Sequence, residues 1–151
     1  AEKEVTKILK ENQIQFSIVP TRFRGIVLLD VDNPQEVANF LRGVETYYVY
    51  KIFPAEKVVE TNYDIVKREA IELSKFLIKP EESFACRIER RGAFDKPTPE
   101  IERDIGGEIN DIIGCKCNLR DPDKLVQIEV LDEKTAICIL NRSKRARKEA
   151  F

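Results

Sequence analysis

"FACRIERRGAFDKPTPEIERDIGG", residues 84–107, is the stretch on which the fold turns. Its first half alternates: Phe84, Cys86 and Ile88 fall on one side and Ala85, Arg87 and Glu89 on the other, which is the period of a β-strand. Its second half has a helical period. Continued to Gly114, it places Ile101, Ile105, Ile109, Ile112 and Ile113 on one apolar face. Thr98 is positioned to cap that helix, Pro99 suits its first turn and Gly114 its end. Between strand and helix stand Arg90, Arg91, Gly92 and Lys96. A helix start offers unpaired N–H groups and a positive dipole end, and arginine forks match phosphate, so this turn is a candidate anion site. A solvated loop is the competing reading, since Glu100, Glu102 and Asp104 partly neutralise the turn.

Downstream, "CKCNL" (115–119) reads as a short strand and "DPD" (121–123) as a turn. "LVQIEVL" (125–131) and "TAICIL" (135–140) read as two strands joined by the short loop "DEK". Upstream, a helix starts after Asn62, carries Ile65, Val66, Ala70, Leu73, Phe76 and Leu77 at helical spacing, and ends before Pro80. Residues 62–140 thus give helix, strand, helix, strand, strand, strand.

The first third gives a second, smaller unit. Residues 2–11 form a helix with Val5, Ile8 and Leu9 on one face. "IQFSIVP" (14–20) alternates as a strand, and "GIVLLDVD" (25–32) is apolar enough for a central one. Asp32 or Asn33 caps a helix that Pro34 opens and Gly43 closes. "TYYVYKIFP" (46–54) is aromatic and β-branched and reads as a strand, with Tyr48 and Tyr50 on one face and Tyr47 on the other. Stacking on unpaired bases is open to these tyrosines, but core and sheet packing is the assignment made. "PAEKVVET" (54–61) has no long apolar run and reads as the boundary.

Composition narrows the chemistry. With 42% hydrophobic residues the 151-residue chain can build a core. The formal net charge is -1, so any nucleic-acid binding must rest on a local patch rather than bulk charge. No apolar run is long enough to span a bilayer and no signal peptide is present, which points to the cytoplasm. Histidine is absent, which excludes Ser-His-Asp triads, Cys-His dyads and HExxH metal sites. Cys86, Cys115, Cys117 and Cys138 match zinc-ligand spacing poorly and read as buried thiols, with a Cys86–Cys138 disulfide as the alternative. No phosphate-loop or dinucleotide glycine motif occurs. No enzyme, cofactor or metal is therefore expected. Gly106 and Gly107 interrupt a helical pattern at a cost of about 1 kcal/mol each, which suggests close packing of that helix against the sheet or the first helix, with a phosphate-contacting role as the alternative. The tail "NRSKRARKEAF" adds Arg142, Lys144, Arg145, Arg147 and Lys148 as a basic cluster, read either as a nucleic-acid patch or as a frayed, soluble end.

"FACRIERRG", "EIERDIGGEI" and "CNLRDPDKLVQIEVLDEKTAICIL" together resemble the THUMP domain, an RNA-binding module of tRNA- and RNA-modifying systems. "FRGIVLLDVDNPQEVANFL" and "YYVYKIFPAEKVV" are similar to the small ferredoxin-like domain that precedes it in stand-alone THUMP proteins. The resemblance implies an α+β chain: an N-terminal ferredoxin-like domain (1–57), a THUMP domain with a mixed sheet (58–142) and a basic tail (143–151). It implies a non-catalytic tRNA-binding adaptor that recognises shape and presents tRNA to a separate enzyme such as a cytidine acetyltransferase. It places Arg90, Arg91 and Lys96 in the family's basic turn. Arg103, Arg142, Lys144 and Arg145 join these as candidate RNA contacts from their own charge and position. A protein-interaction module without RNA affinity, a small-molecule-binding regulator, and the RNA-binding part of a longer modification enzyme are the rival readings.

Overall fold

The computed structural model describes residues 1–92, 94 and 96–141, in two compact units that divide between Pro54 and Ala55. The first unit holds α1 (Glu2–Glu11), β1 (Ser17–Val19), β2 (Leu28–Asp30) and α2 (Pro34–Arg42). β1 and β2 pair antiparallel as a two-stranded sheet. Val5, Leu9 and Leu41 are the buried centre of this unit, with Ile14, Phe16, Leu29, Val37, Phe40, Val49 and Ile52 packed around them. Asn33 caps α2: its Oδ1 accepts from the Glu36 N–H at 3.1 Å, and Pro34 follows at the start of the helix. Among the described residues β2 pairs with β1 alone, so the stretch 25–32 is not a central strand, and its Leu28 and Leu29 are only half-buried.

Residues 46–54 are irregular rather than a strand. The reason lies on α1. The Glu4 carboxylate accepts from the N–H groups of Tyr47 at 2.7 Å and Tyr48 at 3.1 Å, so these amides are consumed by a side chain instead of a ladder. The three tyrosines then point outward.

The second unit is a five-stranded mixed sheet in the order β3-β7-β6-β4-β5. Its elements are β3 (Lys57–Glu60), α3 (Tyr63–Leu77), β4 (Ser83–Arg91), α4 (Thr98–Ile113), β5 (Lys116–Cys117), β6 (Lys124–Leu131) and β7 (Lys134–Asn141). β4 pairs parallel with β6 across the α4 crossover, and β6 and β7 form the antiparallel hairpin. The helices cover one sheet face. Val66, Ala70, Ile101, Ile105 and Ile109 from them meet Phe84, Cys86, Ile88, Val126, Ile128, Val130 and Ile137 from the strands.

Several expectations need correcting. Residues 57–60, taken as part of a boundary, are the edge strand β3, paired with β7. An edge strand needs no apolar run, and Val58 is indeed exposed. Thr98 does not cap α4; it is the first helical residue, and the N-cap position is held by Pro97, whose side chain cannot accept a hydrogen bond. Phe76 and Ile112, counted on apolar faces, are 85% and 51% exposed. Gly106 and Gly107 do not mark close packing, because a Cβ at either would meet nothing within 4 Å. All four cysteines are free, and Cys117 is exposed. Cys86 and Cys138 lie on strands separated by β6 and, by register, on opposite sheet faces, so the alternative disulfide cannot form.

Candidate nucleic-acid interface

The basic turn is built where β4 leaves the sheet. Its last residues, Arg90 and Arg91, pair with Val130 and Leu131 at the hairpin end of β6. Gly92 follows with φ 101°, a conformation that side chains resist. It packs on the β6–β7 turn: the Asp132 N–H donates to the Arg91 carbonyl at 2.9 Å, and a Cβ at Gly92 would collide with the Asp132 carboxylate. Alternation along β4 sends the two arginines to opposite faces.

Their side chains meet different partners. Arg91 Nη1 lies 3.3 Å from Glu129 Oε1, and the other oxygen of that carboxylate, Oε2, accepts from Gln127 Nε2 at 2.6 Å. Burial pushes the Glu129 carboxyl above its usual range, and Gln127 and Arg91 draw it partly back. Arg91 is thus committed to the sheet. Arg90 is exposed, and its Nη1 donates to the Lys96 carbonyl at 3.1 Å, which folds the turn back on itself.

Lys96 is placed by an aromatic ring. Its Nζ sits 4.3 Å from the centre of the Tyr63 ring and 4.0 Å from Glu100. The Tyr63 hydroxyl donates to Asp104 Oδ2 at 2.9 Å, and burial together with that bond raises the phenol's pKa. One turn along α3, Lys67 bonds Glu108 at 2.6 Å, which raises its own pKa, and approaches the same ring at 5.6 Å. Arg103, on the first turns of α4, is exposed. The opposite edge of β4 is also managed by α4: the Ile88 N–H donates to Glu102 Oε2 at 2.9 Å, which satisfies a backbone group that no strand reaches.

Arg90 and Lys96 are therefore brought together in one turn beside the start of α4, while Arg91 turns to the other sheet face and Glu129. Arg142, Lys144 and Arg145 lie outside the described residues. Sequence reasoning missed Tyr63 and Lys67, which sit on α3 more than twenty-five residues before Lys96 and carry no local signal of this contact. Among the described residues no group of Cys, Asp and Glu side chains could hold a metal ion. None of the helices described is long and apolar enough to cross a membrane.

The family model of the THUMP domain matches residues 60–140, more than half of the chain. The chain belongs to the THUMP domain family. The fold is accordingly α+β, a small N-terminal part built on a two-stranded antiparallel sheet followed by the THUMP domain with its five-stranded mixed sheet. The chain is similar to the tRNA sulfurtransferase of Vibrio cholerae, 29% identical over 144 residues, covering 87% of this chain and 29% of that enzyme. The crystal structure of PH1313 from Pyrococcus horikoshii superposes with a TM-score of 0.77 at 21% identity, covering 95% of this chain and 46% of that one. A 4-thiouridine synthetase, solved as an RNA complex with bound ATP, gives a TM-score of 0.68 at 16% identity over 96% of this chain and 36% of its own. The chain spans 38%, 29% and 26% of three curated relatives that match it over most of its length.

Proposed function

We propose that this THUMP protein captures tRNA without catalysing its modification, and presents it to a separate enzyme. The observation that carries the reading is the basic turn: Arg90 and Lys96 linked through one hydrogen bond beside the start of an α-helix. Such a turn can hold phosphates without reading sequence, and recognition by shape and backbone suits structured RNA. The THUMP relatives named for tRNA sulfur transfer and 4-thiouridine synthesis support tRNA as the RNA. The proposed contacts are Arg90, Arg91, Lys96 and Arg103, with Arg142, Lys144 and Arg145 of the tail added on charge alone. The proposed division is a ferredoxin-like domain over 1–57, the THUMP domain over 58–142 and a tail over 143–151, in the cytoplasm. Cytidine acetylation is the modification proposed for the partner, which would gain effective substrate concentration from the capture.

A second reading has an observation of its own. The matched relatives are much longer than this chain, which favours the RNA-binding part of a longer modification enzyme. Both readings place RNA on the same turn.

The test is tRNA binding by fluorescence anisotropy across a salt series, comparing the wild type with Arg90→Ala/Lys96→Ala. Loss of two phosphate contacts makes the log–log salt slope shallower by about 2. Equal slopes for both proteins would remove the turn from the interface, and absence of binding by the wild type at low salt would remove tRNA capture.

A further inference from the structure

The two lysines beside the Tyr63 ring differ in how their charge is held. Lys67 Nζ meets the Glu108 carboxylate at 2.6 Å and lies 5.6 Å from the ring centre. Its charge is already answered by an anion. Lys96 Nζ reverses that balance: it lies 4.3 Å from the ring centre and reaches Glu100 only at 4.0 Å. A close carboxylate neutralises an ammonium, whereas a ring face attracts it through the quadrupole and leaves its charge intact. Lys96 is therefore restrained and still cationic. Arg90 stands beside it, its Nη1 donating to the Lys96 carbonyl at 3.1 Å.

The ring can restrain a lysine because it is itself fixed. Tyr63 is the first residue of α3, and Asn62 caps that helix by accepting the Ile65 N–H at 3.1 Å. The side chain packs against the core of the unit. Its hydroxyl donates to Asp104 Oδ2 on α4 at 2.9 Å. A lysine charge rides on a flexible four-carbon stem, and the freedom of that stem is lost when it seizes an anion from solution. A lysine already held by a fixed ring loses less of it on binding.

We infer that Tyr63 is a positioning residue of the RNA site, holding the Lys96 ammonium as a preorganised charge for an RNA phosphate, an inference that rests on the RNA-binding reading above and deepens it. It brings α3 into a site that the local sequence confines to the turn between β4 and α4. Tyr63 acts through Lys96 rather than by touching the RNA. A purely structural Tyr63 would join α3 to α4 through its hydroxyl and Asp104. The two roles separate because ring and hydroxyl can be changed independently.

The experiment measures tRNA binding across a salt series for the full chain as the wild type, Tyr63→Phe, Tyr63→Leu, Lys96→Ala and Tyr63→Leu/Lys96→Ala. Tyr63→Phe keeps the ring, loses the Asp104 bond and binds as the wild type does. Tyr63→Leu binds about threefold more weakly, with a shallower salt slope, and costs nothing further once Lys96 is alanine. Phenylalanines carrying successively more ring fluorines at position 63 keep the shape while draining the negative face, so affinity falls stepwise with the fold intact. NMR of the free protein adds a readout that needs no RNA. The ring shifts the Lys96 ε-methylene protons upfield in the wild type and Tyr63→Phe, and the shift is absent in Tyr63→Leu. Several results overturn the positioning role while leaving RNA capture standing: unchanged affinity of Tyr63→Leu, an equal loss in the Lys96→Ala background, a loss in Tyr63→Phe as large as in Tyr63→Leu, no response to fluorination, or an unshifted Lys96 methylene in the wild type. A wild type that binds no tRNA overturns both.

Discussion

Single residues decide the geometry of the basic turn. Gly92 is the clearest: its φ of 101° and the approach of a Cβ to within 3.1 Å of the Asp132 Cα leave no room for a side chain. Gly92→Ala should cost about 1–3 kcal/mol, read as a lower denaturation midpoint with an unchanged slope. Gly107 stands at the other extreme. It lies within α4, and a Cβ would touch nothing, so Gly107→Ala should raise stability by about 1 kcal/mol. If the helix comes close to an RNA backbone there, the same variant gains stability and loses tRNA affinity, which separates two reasons for a glycine that sequence alone confounds. The thiols divide in the same manner. Burial pushes the Cys86 thiol up to about 12 and the Cys138 thiol up as well, while Cys117 is exposed. Alkylation of the native protein should label Cys117 first and reach Cys86 and Cys138 only on unfolding, as mass spectrometry of the labelled peptides would show.

At the scale of elements, the THUMP sheet depends on small polar clamps at its ends. Where α3 gives way to β4, Glu82 accepts from the Lys79 N–H at 2.8 Å and pairs with Lys124 Nζ at 3.0 Å, tying that junction to the start of β6. Lys124 also donates to the Leu77 carbonyl at 3.1 Å at the last turn of α3. The Lys79 N–H, then Lys124, hold the Glu82 carboxyl below its ordinary 4.5. A carboxyl whose pKa is depressed on folding contributes stability above its unfolded value and loses it as pH falls through the folded one. Glu82→Gln should therefore destabilise by up to about 1 kcal/mol at pH 7. The two proteins should converge below pH 4.5 in denaturation curves taken across that range. β3 carries little signal in its own sequence. Its four residues are stabilised by pairing with β7 rather than by an apolar run of their own, so the signal lies about eighty positions away.

The whole molecule is nearly neutral, with a net charge of -1. Nonspecific attraction to nucleic acid should accordingly be weak, and tRNA affinity should fall with salt according to the few cations of the turn rather than the total of basic residues. A long DNA duplex competing as well as tRNA at equal phosphate concentration would contradict this. Of the fold, the sequence by itself determined what local periodicity and chain direction can carry: the α3 and α4 helices, β4, the β6–β7 hairpin and the meeting of a basic turn with a helix start. The Asn33 cap and the Gly114 helix end were readable too, because both are local backbone chemistry. Only tertiary structure decided which charges are spoken for. Arg90 and Arg91 look alike in the chain, yet pairing with β6 delivers Arg91 to Glu129 and leaves Arg90 exposed. It likewise brought Tyr63 under Lys96, and it let Glu4 take two amides from a segment whose composition favours a strand. The physical reason is common to all three: each is a contact between residues distant in sequence, whose energy appears only once the chain has folded them together.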